Sequence, residues 1–194
     1  MASVKTRLFI TTLLVLALAV SSCRTKKETT YKPRTTRTTR GDNRTDNSAG
    51  DNTNERWKRL DIKLTRHDNR KLYDELRQWL GTPYKYAACD RQKGTDCSGM
   101  VMMVYKSVFD IKLERNSAKI YEKNCRHVNK EKLREADLVF FNNGKSGRIT
   151  HVGIYLKDGY FVHASSSRGV IVSHLTERYY TTHYQCAGRV IHDN

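Results

Sequence analysis

At 194 residues the chain has room for one ordinary domain with appendages, since about 120 residues suffice for a modest single core. Lys and Arg number 36 against 20 Asp and Glu, a formal net charge of +16, which favours anionic partners; no nucleic-acid-binding signature accompanies the basic residues, so nucleic acid is set aside as a partner. Five cysteines are too few for a disulfide-dense scaffold.

The N-terminus has the parts of an export leader. Lys5 and Arg7 precede the apolar run LFITTLLVLALAV, and SSC ends at Cys23. The run is too short to span a bilayer comfortably as a mature helix, so residues 1–22 read as a signal peptide. VSSC resembles a bacterial lipobox, which implies cleavage after Ser22 and a lipid on Cys23; an ordinary signal peptide with a chance cysteine is the alternative. Removal of Lys5 and Arg7 lowers the charge from +16 to +14, and for an exported chain the anionic partners are lipid head groups or carboxylate-rich wall polymer. Arg24 is not the acidic residue associated with inner-membrane retention, so the expected location is the outer membrane, facing the periplasm.

Residues 23–66 are rich in Thr, Arg, Asn and Asp and lack apolar periodicity, which predicts a flexible tether. Roughly 40 such residues span about 35 Å by flexible-chain scaling. Trp57 falls within this segment. The ordered domain is expected over residues 67–194. It opens with DNRKLYDELRQWLG, where Leu72, Tyr73, Leu76, Trp79 and Leu80 recur at helical spacing between a cap at Asp68 or Asn69 and Gly81. A second helix starts at Cys97, with Asp96 as cap and Met100, Val101, Val104 and Val108 on one face. A weaker helical stretch covers Ser117 to Lys123. The period then changes to that of strands in DLVFF, HVGIYL, YFVHA, VIVS and YQCAGRVIH, separated by NNGKSG, KDG and SSRG. Helices first and an antiparallel sheet second make an α+β fold.

Cys97 is set between Asp96 and Ser98 ahead of the apolar run. A cysteine in the first turn of a helix meets unpaired N–H groups and the positive end of the helix dipole, both of which stabilise a thiolate and lower its pKa. Such a thiolate needs an imidazole partner. Of seven histidines, His151 in HVGIYL and His163 in YFVHA lie in confident strands of one hairpin; His67, His127, His174, His183 and His192 are expected at the surface or in packing. If the loop is the three residues Lys157, Asp158 and Gly159, His151 and His163 share a face as diagonal neighbours. A two-residue Asp-Gly turn would put them on opposite faces, so a site that uses both histidines predicts the longer turn. Gly153 would leave an open path beside His151 for a substrate backbone.

GTPYKY, GTDCSGMV, DLVFF, HVGIYL, DGYFVHASSSRGV and the terminal RVI resemble, in order and spacing, the NlpC/P60 cysteine peptidases, over about Leu72 to Ile191. The resemblance implies a papain-like α+β fold, with N-terminal helices packed on an antiparallel sheet, and hydrolysis of amide bonds in peptidoglycan stem peptides. It makes Cys97 the nucleophile, His151 the base and His163 the residue that orients the base. Tyr84 matches a tyrosine whose hydroxyl lies near the nucleophile and assists the oxyanion; Asp96 and Ser98 match positions that flank the cysteine, with Asp96 a cap and local organiser. The expected partners are the stem peptides and, through a lipid on Cys23, the membrane; the expected state is a monomer without cofactor. Lys85, Arg115 and Arg168 are candidate contacts for stem carboxylates.

The chain departs from the family pattern in a few places. Ala87 and Ala88 stand where a glycine pair is usual, the loop to Cys97 is one residue longer and contains Cys89, and Ala136 replaces a glycine, so the backbone there is expected to avoid positive φ. A disulfide between Cys125 and Cys186 is compatible with the count. Three other readings compete: zinc held by Cys89, Cys97, His151 and His163, a wall-binding module that has lost its chemistry, and an amidase or acyltransferase acting on another substrate.

Overall fold

The structure, a computed structural model, describes Trp57, residues 61–144 and residues 147–191. The signal peptide, Cys23 and most of the expected tether lie outside the described residues. Trp57 and Ile62, both within the expected tether, are buried in the core, and the Trp57 ring meets Tyr73 edge to face at 5.2 Å. The packed domain therefore takes up residues ahead of position 67.

Helix α1 (Arg70–Trp79) starts where Asn69 accepts a hydrogen bond from the Leu72 N–H at 3.1 Å, which meets one of the unpaired donors of the first turn. Leu72, Tyr73, Leu76 and Trp79 form its buried stripe. A short hairpin, β1 (Cys89–Asp90) and β2 (Gly94–Thr95), leads into helix α2 (Cys97–Phe109). Met100, Val101 and Val104 of α2 are fully buried, each contributing about 1.5–3 kcal/mol of hydrophobic stabilisation, so the helix is anchored from its second turn onward. Helix α3 (Ser117–Asn124) begins at Asn116, whose side chain accepts from Ala118 and Lys119.

Six antiparallel strands follow: β3 (Cys125–Val128), β4 (Leu138–Phe141), β5 (His151–Tyr155), β6 (Tyr160–Ser165), β7 (Gly169–His174) and β8 (Tyr184–Val190), with helix α4 (Arg178–His183) before the last. Their order across the sheet is β3-β8-β4-β5-β6-β7. Leu138, Phe140, Val152, Ile154 and Val162 join the core with α1 and α2, while Val139, Phe141 and Phe161 form a second cluster with Leu175 and Tyr180. The α+β fold expected from the strand and helix periods is present. Strand β3 and helix α4 are additions, because CRHV and RYYTTH are too short and too polar to carry a period.

One pairing that the cysteine count left open is resolved, and one local expectation is corrected. Cys125 opposes Val190, four residues beyond Cys186 on β8; that offset is roughly 13 Å of extended chain, too far for a disulfide, and both cysteines are free. Ala136 does adopt positive φ, at 67°. Its N–H donates to the Tyr155 carbonyl at 3.0 Å and its carbonyl accepts from the Tyr105 hydroxyl, so hydrogen bonds on both sides hold an alanine in the left-handed region.

Ala136→Gly should therefore stabilise the domain by about 0.5–1 kcal/mol, the relief of left-handed strain less the added freedom of the unfolded chain. Chemical denaturation would show it as a higher midpoint at unchanged slope. A midpoint equal to or below that of the parent would show that the position is unstrained.

Candidate active site

Asp96 organises the start of α2. Its Oδ1 accepts from the Gly99 N–H at 2.7 Å and from the Ser98 hydroxyl at 3.2 Å, and its Oδ2 accepts from the Ala87 N–H at 2.9 Å. The Arg115 guanidinium grips both oxygens, Nη1 to Oδ1 and Nη2 to Oδ2, each at 2.8 Å. Arg115 also donates to Ser98 Oγ at 2.8 Å and to the Ala88 carbonyl at 3.1 Å. Burial works to raise the Asp96 carboxyl, but Arg115 and the Gly99 N–H outweigh it and hold the group below the usual carboxylate range. Arg115 is thus committed to the protein's own carboxylate and is not a free cation for substrate.

On the sheet, Ile154 pairs with Val162 and Tyr155 with Phe161, and the Leu156 N–H donates to the Tyr160 carbonyl at 2.8 Å. The loop is therefore the three residues Lys157, Asp158 and Gly159, with Asp158 at φ 51° and Gly159 at φ 86°. His174, expected at the surface or in packing, pins this turn: its Nε2–H donates to the Asp158 carbonyl at 2.6 Å. The longer turn puts both histidines on one face, and His151 Nε2 lies 2.9 Å from His163 Nδ1. The Gly153 space is not an open path for substrate. A Cβ there would come within 2.8 Å of Phe161 Cδ2 and 3.2 Å of His163 Cβ, so the missing side chain lets the second imidazole approach the first.

His163 is buried against aromatic rings, stacked on Phe161 at 5.1 Å and edge to face with Tyr180 at 5.2 Å. Its Nε2 lies 2.8 Å from the Tyr180 hydroxyl and 3.1 Å from Ser173 Oγ. Sequence reasoning missed both hydroxyl groups. Ser173 carried a signal, as a polar residue at a position of VIVS that faces inward beside Phe161; Tyr180, in a six-residue helix, carried none.

Cys97, His151 and His163 line one cavity of about 460 Å³, together with Tyr84, Arg168 and Tyr180. Cys97 is 8% exposed and also borders a second cavity of about 380 Å³ with Tyr84, Tyr86, Asp96, Ser98 and Arg115. The sulfur therefore sits where two clefts meet. A larger groove of about 660 Å³, lined by Arg126, Lys132 and Arg134, contains no cysteine and lies at β3. Lys85 lines none of these three cavities. Among the described residues, no group of three or more His, Cys, Asp or Glu is placed to hold a metal ion, so the zinc set of Cys89, Cys97, His151 and His163 does not converge.

Protonation follows from burial. Desolvation pushes the Cys97 thiol up and the Asp96 carboxylate adds to this, while the N–H groups of Val152, Ser98 and Cys97 itself work to lower it. The net shift is upward, opposite to the lowered pKa expected from the helix start, because the loss of water outweighs a few N–H dipoles. His151 keeps one edge on the cavity, yet desolvation brings it down to about 4. His163 falls to about 2, by desolvation first and then by His151 and Arg168. Both shifts in the cysteine and its neighbouring histidine favour a neutral thiol and a neutral imidazole over an ion pair. Tyr84 is raised by burial, then by Cys97 and Asp96, so its hydroxyl keeps its proton at neutral pH.

A cysteine at a helix tip and two hydrogen-bonded histidines from an antiparallel sheet are thus gathered on one cavity of an α+β fold. The chain belongs to the NlpC/P60 family, whose pattern matches residues 81–189. It is similar to the probable endopeptidase NlpC of Escherichia coli K12, 39% identical over 119 residues that make up 61% of this chain and 76% of that protein. It is also similar to the murein DD-endopeptidase MepS/murein LD-carboxypeptidase of the same strain, 38% identical over 121 residues, 62% of each chain. The fold matches a lipoprotein-like NLP/P60 family structure from Staphylococcus aureus Mu50, with a TM-score of 0.58 and 30% identity over 67% of this chain and 43% of that one.

Alkylation of Cys97 by iodoacetamide, followed by mass mapping of its peptide, should accelerate by about tenfold per pH unit between pH 6 and 8, as for a thiol still being titrated. A rate that is flat from pH 5 to 8 would mean a preformed thiolate–imidazolium pair and would overturn the neutral-pair assignment.

Proposed function

We propose that this domain is a cell-wall cysteine peptidase that hydrolyses amide bonds in peptidoglycan stem peptides or their cross-links. The observation that carries the reading is the convergence of Cys97 and the hydrogen-bonded pair His151–His163 on one cavity. The relatives named as murein endopeptidases support the substrate class, and Arg168 supplies a cation on the cavity wall for a stem carboxylate.

The protonation states dictate the order of events. The neutral imidazole of His151 accepts the Cys97 thiol proton as sulfur attacks the scissile carbonyl, so nucleophile and acid are created together in the transition state. The oxyanion meets the Cys97 N–H at the helix start and the Tyr84 hydroxyl. His151, now cationic, protonates the departing amine as the tetrahedral intermediate collapses to an acyl-enzyme. Water, deprotonated by His151, then attacks the thioester and returns the cysteine, releasing a carboxylic acid. His163 holds the ring of His151 throughout, while Asp96 and Ser98 hold the helix tip. For the whole chain, we assign residues 1–22 as a lipoprotein signal peptide, a lipid to Cys23 as anchor in the outer membrane facing the periplasm, and a monomeric catalytic domain reaching murein on the tether.

The full chain should release muropeptide fragments from purified murein, identified by mass spectrometry, and Cys97→Ala should release none; cleavage by that variant would exclude nucleophilic catalysis by Cys97. The base acts when neutral, so kcat/KM should hold as pH falls through the ordinary histidine range and drop only as His151 takes up a proton near pH 4. The unfolded chain accepts protons below about pH 6.5 that these buried imidazoles refuse, so stability also declines on acidification. Rates are therefore compared only where circular dichroism shows the folded state. A limb centred near pH 6.5 with the fold intact would show that the base is not desolvated as described.

A further inference from the structure

The bond between His151 and His163 can run in either direction, and the mechanism above tolerates only one. If His163 donates from Nδ1, His151 accepts at Nε2 and carries its own proton on Nδ1, which leaves no lone pair for the thiol. If His151 donates from Nε2, its Nδ1 is the free base. The second case requires His163 to accept at Nδ1 and hence to carry its proton on Nε2, deep in the protein. His163 is only 2% exposed, and a buried N–H without an acceptor costs about 1–3 kcal/mol.

The acceptors for that proton are the two hydroxyls behind the ring, Ser173 Oγ at 3.1 Å and Tyr180 at 2.8 Å from Nε2. A hydroxyl can donate or accept, so proximity alone does not set the direction. The direction of the bond between the hydroxyls fixes the role of Ser173 alone. Ser173 donates its proton to the Tyr180 oxygen at 3.3 Å, so toward His163 it presents a lone pair. Tyr180 is held for this role by its edge-to-face contacts with Phe161 at 4.9 Å and Phe141 at 5.3 Å. Ser173 and Tyr180 are 3% and 5% exposed, which keeps competing water away from Nε2.

Building on the cysteine-peptidase reading, we propose that Ser173, held by Tyr180, is a positioning residue that accepts the Nε2–H of His163 and thereby keeps the His151 Nδ1 lone pair on the side of the nucleophile. Neither residue touches substrate in this role. The hydroxyls act through two imidazoles in series, and their loss allows His163 to turn its proton toward His151.

Long-range proton–nitrogen NMR of the full wild-type chain at pH 7 should find both His151 and His163 protonated at Nε2. This needs no variant and no activity. In murein digestion, Ser173→Ala should lower kcat by about tenfold, since Tyr180 remains as a second acceptor, and Ser173→Ala/Tyr180→Phe by about 100-fold or more, within the range of a lost general base. KM should stay within about twofold, and Ser173→Thr, which keeps a hydroxyl, should keep kcat within about threefold. Wild-type His163 protonated at Nδ1 would overturn the proposal, as would a folded double variant with unaltered tautomers and kcat. Murein cleavage by Cys97→Ala would overturn the peptidase reading instead and leave the tautomer assignment standing.

Discussion

The site depends on the register of one hairpin. With side chains alternating across a strand, a single-residue slip between β5 and β6 would send His151 and His163 to opposite faces of the sheet, and no adjustment of rotamers would bring their rings back together. Three features hold that register: the Lys157–Asp158–Gly159 loop with two residues at positive φ, the His174 bond to the Asp158 carbonyl, and the absence of a side chain at Gly153. Only the first and last lie within the hairpin. His174 comes from β7, so the strand that carries Ser173 behind His163 also fixes the turn that aims His163.

The proposed nucleophile, Cys97, is placed by an equally concentrated device. One carboxylate, Asp96, caps α2, binds the Ala87 N–H and pairs with Arg115. Ala87 adopts φ 58° although it has a side chain; its N–H bond to Asp96 Oδ2 keeps the preceding loop against the helix tip. The ion pair is partly open to solvent on the Arg115 side and shielded on the Asp96 side, so its contribution is mainly orientation: it sets where the helix begins, and so where the sulfur lies.

Much of this was legible in the residues because it rests on short-range rules. The caps Asn69 and Asp96, the stripes of α1 and α2 and the five apolar strands follow from periodicity and capping chemistry, and the turn length followed from requiring two polar residues of one hairpin to share a face. What could not be read depends on tertiary placement. The expected thiolate at the helix start ignored how completely the fold buries Cys97. The open path at Gly153 ignored that a neighbouring strand fills whatever space a glycine leaves. Ala136 was expected to avoid the left-handed region because intrinsic preference says so, but hydrogen bonds on both sides of it override a preference of about 1–2 kcal/mol. Trp57 stands outside any periodic run, and its place in the core beside Tyr73 is a matter of tertiary packing.

The choice of a histidine rather than a carboxylate behind His151 has a consequence for how the chemistry is balanced. A carboxylate partner would attract a proton to His151 and favour the ion pair with Cys97 at rest. His163 is held neutral by burial, then by His151 and Arg168, and in the proposed tautomer it offers a lone pair without a charge. The resting site then avoids two buried charges, whose desolvation a mutual attraction only partly offsets. In the proposed mechanism charge appears only as the sulfur attacks, when the developing oxyanion and imidazolium lie beside the N–H groups of the helix tip, the Tyr84 hydroxyl and the His163 lone pair. Those dipoles are already in place, so their stabilisation is felt in the transition state and little in the ground state, which is the condition under which binding groups accelerate a reaction.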